Sequence, residues 1–152
     1  MPTEKSAGAV IFRKKERGIQ YLLLHYQSGL RRKNPFWDFS KGHIEKGENE
    51  IIAAKREAKE ETGLDDISIL EGFKEEIKYF FKFKGQTIFK TVVFFLAETK
   101  TKKITLSFEH KGFKWLPFKE ALELLTFQNG KDILQKANNY LNKQYATFSR
   151  NK

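Results

Sequence analysis

The spacing of apolar residues changes period several times along the chain, and each change marks an element. In SAGAVIFRKK (6–15) Val10 and Phe12 fall on one face and Ile11 on the other, which predicts a strand. GIQYLLLHYQ (18–27) is almost continuously apolar from Tyr21 to Leu24, the mark of a strand buried on both faces. KKERG between them reads as a hairpin-like turn, SGLRRKNP as a basic loop, and FWDFSKGHI as an extended segment with bends at Gly42 and Gly47. From Asn49 the period becomes three to four. Ile51, Ala54, Ala58 and Thr62 then share one face, with Asn49 as N-cap and Gly63 as stop, which predicts a helix. ISILEGFKEEIKYFFKFK alternates again, turns at KGQ and returns as TIFKTVVFFLAET, a long hairpin. A short strand at Gly112–Leu116, a helix opened by Pro117 (FKEALELLTF) and a helix over Asp132–Leu141 follow, with ATFSRNK expected to fray. This order implies an α/β (α+β) fold, a mixed sheet carrying helices, rather than a doubly wound parallel sheet.

Composition narrows the class. No repeat, linker or composition break divides the 152 residues, so one domain over 1–152 is expected, with its core at about 4–145. Fifteen Phe and 39% hydrophobic residues supply a packed core and argue against disorder. No apolar run reaches bilayer length, and the start MPTEKSAGAV lacks the apolar region of an export signal, so a cytoplasmic protein without a membrane partner is expected. The absence of cysteine excludes disulfides, thiolate metal sites and Cys nucleophiles. Lys and Arg outnumber Asp and Glu by 29 to 19, a net charge of +10, which draws anions such as nucleic acid or polyphosphate, or serves only solubility.

Against that basic background the helix after Asn49 carries a carboxylate cluster. At about 100° per residue Glu57, Glu60 and Glu61 share an arc of roughly 100° beside the buried face. Like charges so placed repel, by a few tenths of a kcal/mol per pair when solvated. A hard divalent cation would neutralise them and keep room for waters and phosphate oxygens. The plain alternative is a solvated helix laced with ion pairs, Arg56 to Glu60 among them.

The spacing around the cluster decides between the two. Gly42, five residues, Glu48, seven residues, then Arg56-Glu57-Ala58-Lys59-Glu60-Glu61-Thr62-Gly63-Leu64 matches the Nudix box at each of its nine defined positions over 23 residues. The segment resembles the loop–helix–loop with which Nudix hydrolases bind metal and cleave a pyrophosphate. The resemblance implies an α/β/α sandwich with a mixed central sheet and the box helix against it. It also implies Mg2+ or Mn2+ held by Glu57, Glu60, Glu61 and the Gly42 carbonyl, with Arg56 and Glu48 pairing with the cluster and pinning the loop. Glu57 is then the expected general base, and Glu109 a rival base or further metal ligand.

From Ala7 to Leu141 the chain is similar to one Nudix branch, the asymmetrical diadenosine tetraphosphate hydrolases, through AGAVIFR, YLLLHYQSG, KGHIEKGE, EGFKEEIKYF, KTVVFFLAE and FEHKGFKWL. That similarity implies phosphate contacts from Lys41 and Lys90, an adenine between Tyr79 and Phe127, and a Glu109–His110 pair near metals and phosphates. The expected partner is a nucleoside polyphosphate, split to ATP and AMP when it is diadenosine tetraphosphate. Where the branch has Pro-Pro ahead of Lys-Gly-His, this chain has Asp38-Phe39-Ser40 before Lys41, and FWDFSKGH is also similar to RNA 5′ pyrophosphohydrolases and diphosphoinositol polyphosphate hydrolases. The RNA 5′ end and an inositol pyrophosphate are therefore alternative substrates, and the loop from Arg31 adds positive charge for any of them. A reading from another class, a non-enzymatic RNA-binding module, draws on the lysines and aromatics of KYFFKFKGQTIFK.

Overall fold

A computed structural model describes residues 1–29 and 33–150, with side chains described as far as Gln144. The expected Arg31 contribution lies outside the described residues. The elements run β1 (Thr3–Lys15), β2 (Gly18–Tyr26), β3 (Phe36–Asp38), β4 (Ser40–His43), α1 (Glu50–Thr62), β5 (Ser68–Phe83), β6 (Gln86–Glu98), β7 (His110–Leu116), α2 (Phe118–Leu124) and α3 (Gln128–Arg150). Among the described residues seven strands form one sheet in the order β3-β2-β1-β6-β5, with β4 on β1 and β7 on β2. β1 and β6 run parallel and the other pairs antiparallel, so the sheet is mixed. No helix among the described residues is long and apolar enough to cross a membrane.

Strand alternation builds three layers. Val10, Phe12, Tyr21, Leu23, Val92, Phe94 and Leu96 point to one face, where Ala121 of α2 and Ile133, Leu134, Ala137 and Leu141 of α3 cover them. Ala9, Ile11, Leu22 and Leu24, with Ala7, Val93 and Phe95, point to the other face, where Ala53, Ala54 and Ala58 of α1 lie. β2 is thus buried on both faces, as its continuous apolar run requires. The Tyr21 hydroxyl donates to Asn138 Oδ1 at 2.7 Å and so ties α3 to the sheet without stranding a buried polar group.

Two strands that part company make room for the site. β1 and β2 pair only beside their hairpin, Phe12–Lys15 against Gly18–Tyr21. Further along, residues 36–43 fill the gap: β3 pairs with Leu24–Tyr26 of β2, and β4 then pairs with Ser6–Ala9 of β1. Gly42 stands opposite Ala7 in this splay, and α1 packs across β1 and β4.

Two expectations change. Ile51 has the angle of the buried face but is exposed, because the first turn of α1 projects over a polar edge where Glu50 bridges Lys5 and Lys74, each at 2.9 Å. A helical wheel fixes angle and says nothing of what lies beneath each turn. The last helix is longer than Asp132–Leu141, and its backbone continues through 146–150, where fraying was expected.

Candidate active site

α1 is fixed at both ends, and this sets its register against β4. The Asn49 side chain accepts from the Ile52 amide at 2.8 Å. Gly63 takes φ +76°, a left-handed geometry open to glycine, and returns its amide to Lys59 O at 2.9 Å. With the register set, the last two turns deliver three glutamates into three different surroundings.

Glu61 is buried and held at both carboxylate oxygens. Ser40 Oγ and the Lys41 amide both donate to its Oε1 at 3.0 Å, and the Tyr26 hydroxyl lies 2.9 Å from Oε2 and 2.8 Å from Phe39 O. Burial first, then the Glu61 charge, pushes the Tyr26 hydroxyl well above its ordinary range, so it remains a donor. Sequence reasoning missed Tyr26 and Ser40. Their signal was a polar tip closing a doubly buried strand and a hydroxyl two residues ahead of Gly42.

Glu57 sits in the space that Gly42 leaves. A Cβ at residue 42 would meet Glu57 Cδ at 2.0 Å and its carboxylate oxygens at 2.1 and 2.4 Å. Burial, followed by the charges of Glu61 and Glu60, raises the Glu57 carboxyl to about 7 against the opposing pull of Arg56. Glu60 is the exposed member of the three.

Arg56 organises this wall. Its Nε and Nη2 grip Glu48 at 2.6 and 3.0 Å, and Nη2 also donates to His43 O at 2.9 Å. Its Nη1 reaches Glu57 Oε1 at 2.9 Å and Glu60 Oε2 at 3.2 Å. Glu48 accepts the Glu45 amide as well, at 2.8 Å, closing the loop ahead of α1. The bidentate pair lowers the Glu48 carboxyl and holds Arg56 firmly cationic.

Two cavities meet here. A cleft of about 530 Å³ is walled by Gly42, Glu57, Glu60, Glu61 and Glu109, with Lys41 and Phe108 among its other lining residues. Beside it a pocket of about 170 Å³ is lined by Tyr79, Phe127, Ile77 and Phe94, with Asp38, Lys41 and Asn129 as its polar groups. Lys41 borders both, its Nζ 2.9 Å from Asp38 Oδ2. Tyr79 and Phe127, far apart in sequence, thus share one pocket.

Two expected substrate residues stand elsewhere. His110 lies behind Glu61: its side chain is fully buried, Nδ1 is 2.9 Å from Ser107 Oγ, and Nε2 is 2.9 Å from Glu61 Oε2 but out of line for a hydrogen bond. It backs the cleft and does not face it. Lys90 lines neither cavity. It is buried, paired across strands with Tyr79 and Glu4, with Nζ 3.3 Å from Glu4 Oε1.

The family model of the NUDIX domain matches residues 2–137. The chain belongs to the Nudix family. It is 35% identical over 147 residues to the mouse asymmetrical bis(5'-nucleosyl)-tetraphosphatase, covering 90% of this chain and 95% of the mouse protein. A crystal structure of a C. elegans Ap4A hydrolase binary complex superposes with a TM-score of 0.78 at 31% identity, over 92% of this chain and 98% of the other. An RNA pyrophosphohydrolase of Nitratiruptor is 32% identical over 117 residues, 71% of this chain and 75% of its own.

Nudix hydrolases generally require divalent metal ions, and the donors of this Nudix box fit one. They are hard oxygens, of the kind Mg2+ and Ca2+ select. The space that Gly42 leaves is filled by the Glu57 carboxylate, whose charge is disfavoured first by burial and then by Glu61 and Glu60, so a cation there would offset both. Among the described residues no three His, Asp or Glu side chains converge as a preformed cage. Mg2+ does not need one, since it binds through one or two carboxylates, its own waters and substrate phosphates.

Proposed function

We propose that this Nudix protein hydrolyses diadenosine tetraphosphate asymmetrically, to ATP and AMP. The observation that carries the reading is the pairing of an aromatic pocket with an acidic cleft across one shared lysine, Lys41. An adenine enters between Tyr79 and Phe127, where stacking contributes about 1–3 kcal/mol. Asn129 and Asp38 offer polar groups at the pocket wall. The polyphosphate passes Lys41 into the cleft, where an off-centre phosphorus meets water. Off-centre attack follows because only one base is gripped by the pocket, which places the cleft at one end of the phosphate chain.

Glu57, Glu60, Glu61, Glu109 and the Gly42 carbonyl, which share the cleft, would hold Mg2+ or Mn2+. When bound, such an ion would neutralise phosphate charge and acidify water. The chain's own residues do the rest. Glu57, on the wall of the cleft, takes the proton of the attacking water. Glu109, exposed on the turn before β7, is the rival base. Arg56 and Glu48 fix the orientation of Glu57 and Glu60. Glu61 anchors β4 through Ser40 and Lys41, and His110 backs Glu61. The water oxygen bonds to phosphorus as the anhydride P–O bond breaks, and the departing phosphate chain carries away the electron pair. One domain spanning the chain suffices for this chemistry.

A second reading, the 5′ end of an RNA, is favoured by the Nitratiruptor relative and by the +10 charge. Product analysis with Mg2+ in 18O-water separates the two. Equal ATP and AMP from diadenosine tetraphosphate, with 18O in one product, is expected. Two ADP, or turnover confined to triphosphorylated RNA, would refute the first reading.

A further inference from the structure

The rim of the acidic cleft holds an aromatic ring that belongs to none of the core clusters. Phe108 is 88% exposed, the highest value among the exposed large apolar side chains of the described residues, and it lines the cleft with Glu60 and Glu109. Solitary exposed apolar residues are common and carry no meaning alone. This one differs because its backbone is pinned on both sides. The Thr105 amide donates to Thr62 O at 2.9 Å and the Ser107 amide to Glu61 O at 3.2 Å, so the approach to Phe108 is tied to the end of α1. The His110 amide closes the turn onto Ser107 O at 3.2 Å. Gln27 Nε2 donates to Phe108 O at 2.8 Å, and the Gln27 amide to Glu109 O at 3.4 Å. The ring is therefore presented from a fixed turn, and a ligand that covers it has little loop-ordering entropy to overcome.

Its place in the sequence of subsites gives it a use. Lys41 joins the Tyr79–Phe127 pocket to the acidic cleft, and Phe108 stands on the cleft's own wall. A mononucleoside polyphosphate needs only the pocket, the lysine and the carboxylates. A dinucleoside polyphosphate has a second base, which leaves the cleft at the far end of the phosphate chain. We propose that Phe108 stacks on this second base, the one carried by the outgoing mononucleotide, and thereby sets a preference for dinucleoside over mononucleoside polyphosphates. The inference rests on the dinucleoside polyphosphate reading and adds a binding residue to it. A base has two apolar faces and no net charge, so it covers the ring without adding charge to an acidic rim.

The test compares kcat/KM for diadenosine tetraphosphate and adenosine 5′-tetraphosphate, which have the same phosphate number and differ by one nucleoside. Stacking of about 1–3 kcal/mol per base corresponds to about 5- to 150-fold in affinity. Phe108→Ala is expected to reduce the ratio of the two kcat/KM values about tenfold, through KM, and Phe108→Trp to restore it. A ratio within twofold of wild type in Phe108→Ala overturns the proposal. A larger loss on a triphosphorylated oligoribonucleotide than on the dinucleotide also overturns it, by giving the ring to an RNA base. Binding is read apart from turnover with Phe108→Trp, its fluorescence taken as the difference from wild type, which carries Trp37 and Trp115. A methylene-bridged diadenosine tetraphosphate should quench the new signal and adenosine 5′-tetraphosphate should not; equal quenching refutes the stack. If wild type hydrolyses neither nucleotide, the activity reading fails, and the quenching still decides the role of Phe108.

Discussion

Gly42→Ala tests the site at its tightest point. The added methyl carbon would lie 2.0 Å from Glu57 Cδ, whereas ordinary contact starts at 3.4 Å, so the carboxylate must retreat by at least about 1.4 Å. The obstacle is the far end of a flexible side chain, and the open cleft lies beside it. The fold should therefore absorb the change for less than about 1 kcal/mol, or about 2–4 °C in Tm at this chain length. Catalysis should not absorb it. Misplacement of a reacting group by about 1 Å can cost about 100-fold, so kcat/KM for diadenosine tetraphosphate with Mg2+ should fall about 100-fold, close to 2.7 kcal/mol. Glu57→Asp draws the carboxylate back by one methylene, about 1.5 Å. In the double variant the clash is relieved, so the two losses should fail to add, with a coupling of at least about 1 kcal/mol. Three assays suffice: melting, steady-state kinetics and the double-mutant cycle. Gly42→Ala activity within threefold of wild type would refute the placement of Glu57, as would strict additivity.

Other perturbations read other parts of the wall. The Glu57 carboxyl titrates near 7 in the folded protein and near 4.5 when unfolded, so metal-free wild type binds that proton more tightly when folded and loses stability as pH rises from about 4.5 to 7. Discounted for solvent screening, the loss is about 1 kcal/mol; in EDTA at pH 8 Glu57→Gln should melt about 3 °C higher, with no difference near pH 4, and a variant that melts lower at pH 8 would contradict the burial argument. Glu61→Gln takes the charge from three hydrogen bonds, and bonds to a charged group contribute about 1.5–3 kcal/mol each; a Tm drop of about 5–10 °C is expected together with lost activity, and unchanged melting would exclude the anchoring role. Tyr79→Ala should raise KM for diadenosine tetraphosphate about tenfold with kcat nearly constant, and an unchanged KM would remove the adenine from that pocket.

Whatever is written in a single element's period was legible before the fold was known. Alternation in β1 and the continuous apolar run of β2 determined their burial, because a strand's side chains alternate by backbone geometry alone. Asn49 and Gly63 determined the ends of α1, because capping is satisfied by groups within a few residues. The box spacing likewise placed Gly42, Glu48, Arg56 and the three glutamates within one compact loop and helix.

Depth and partnership were decided only in three dimensions. The three glutamates look alike on a helical wheel, yet Glu61 is buried and anchored, Glu57 is half-buried against Gly42 with its carboxyl pushed up, and Glu60 is exposed. The difference comes from what residues 36–43 bring beneath each turn as β1 and β2 part. Ile51 was misjudged for the same reason, since Lys5 and Lys74 lie at its edge of the helix. His110 was drawn behind the cleft and Lys90 onto Glu4, while Tyr79 and Phe127 came to share a pocket. Periodicity belongs to one segment's own backbone, whereas the environment of a side chain belongs to whichever distant segments pack against it.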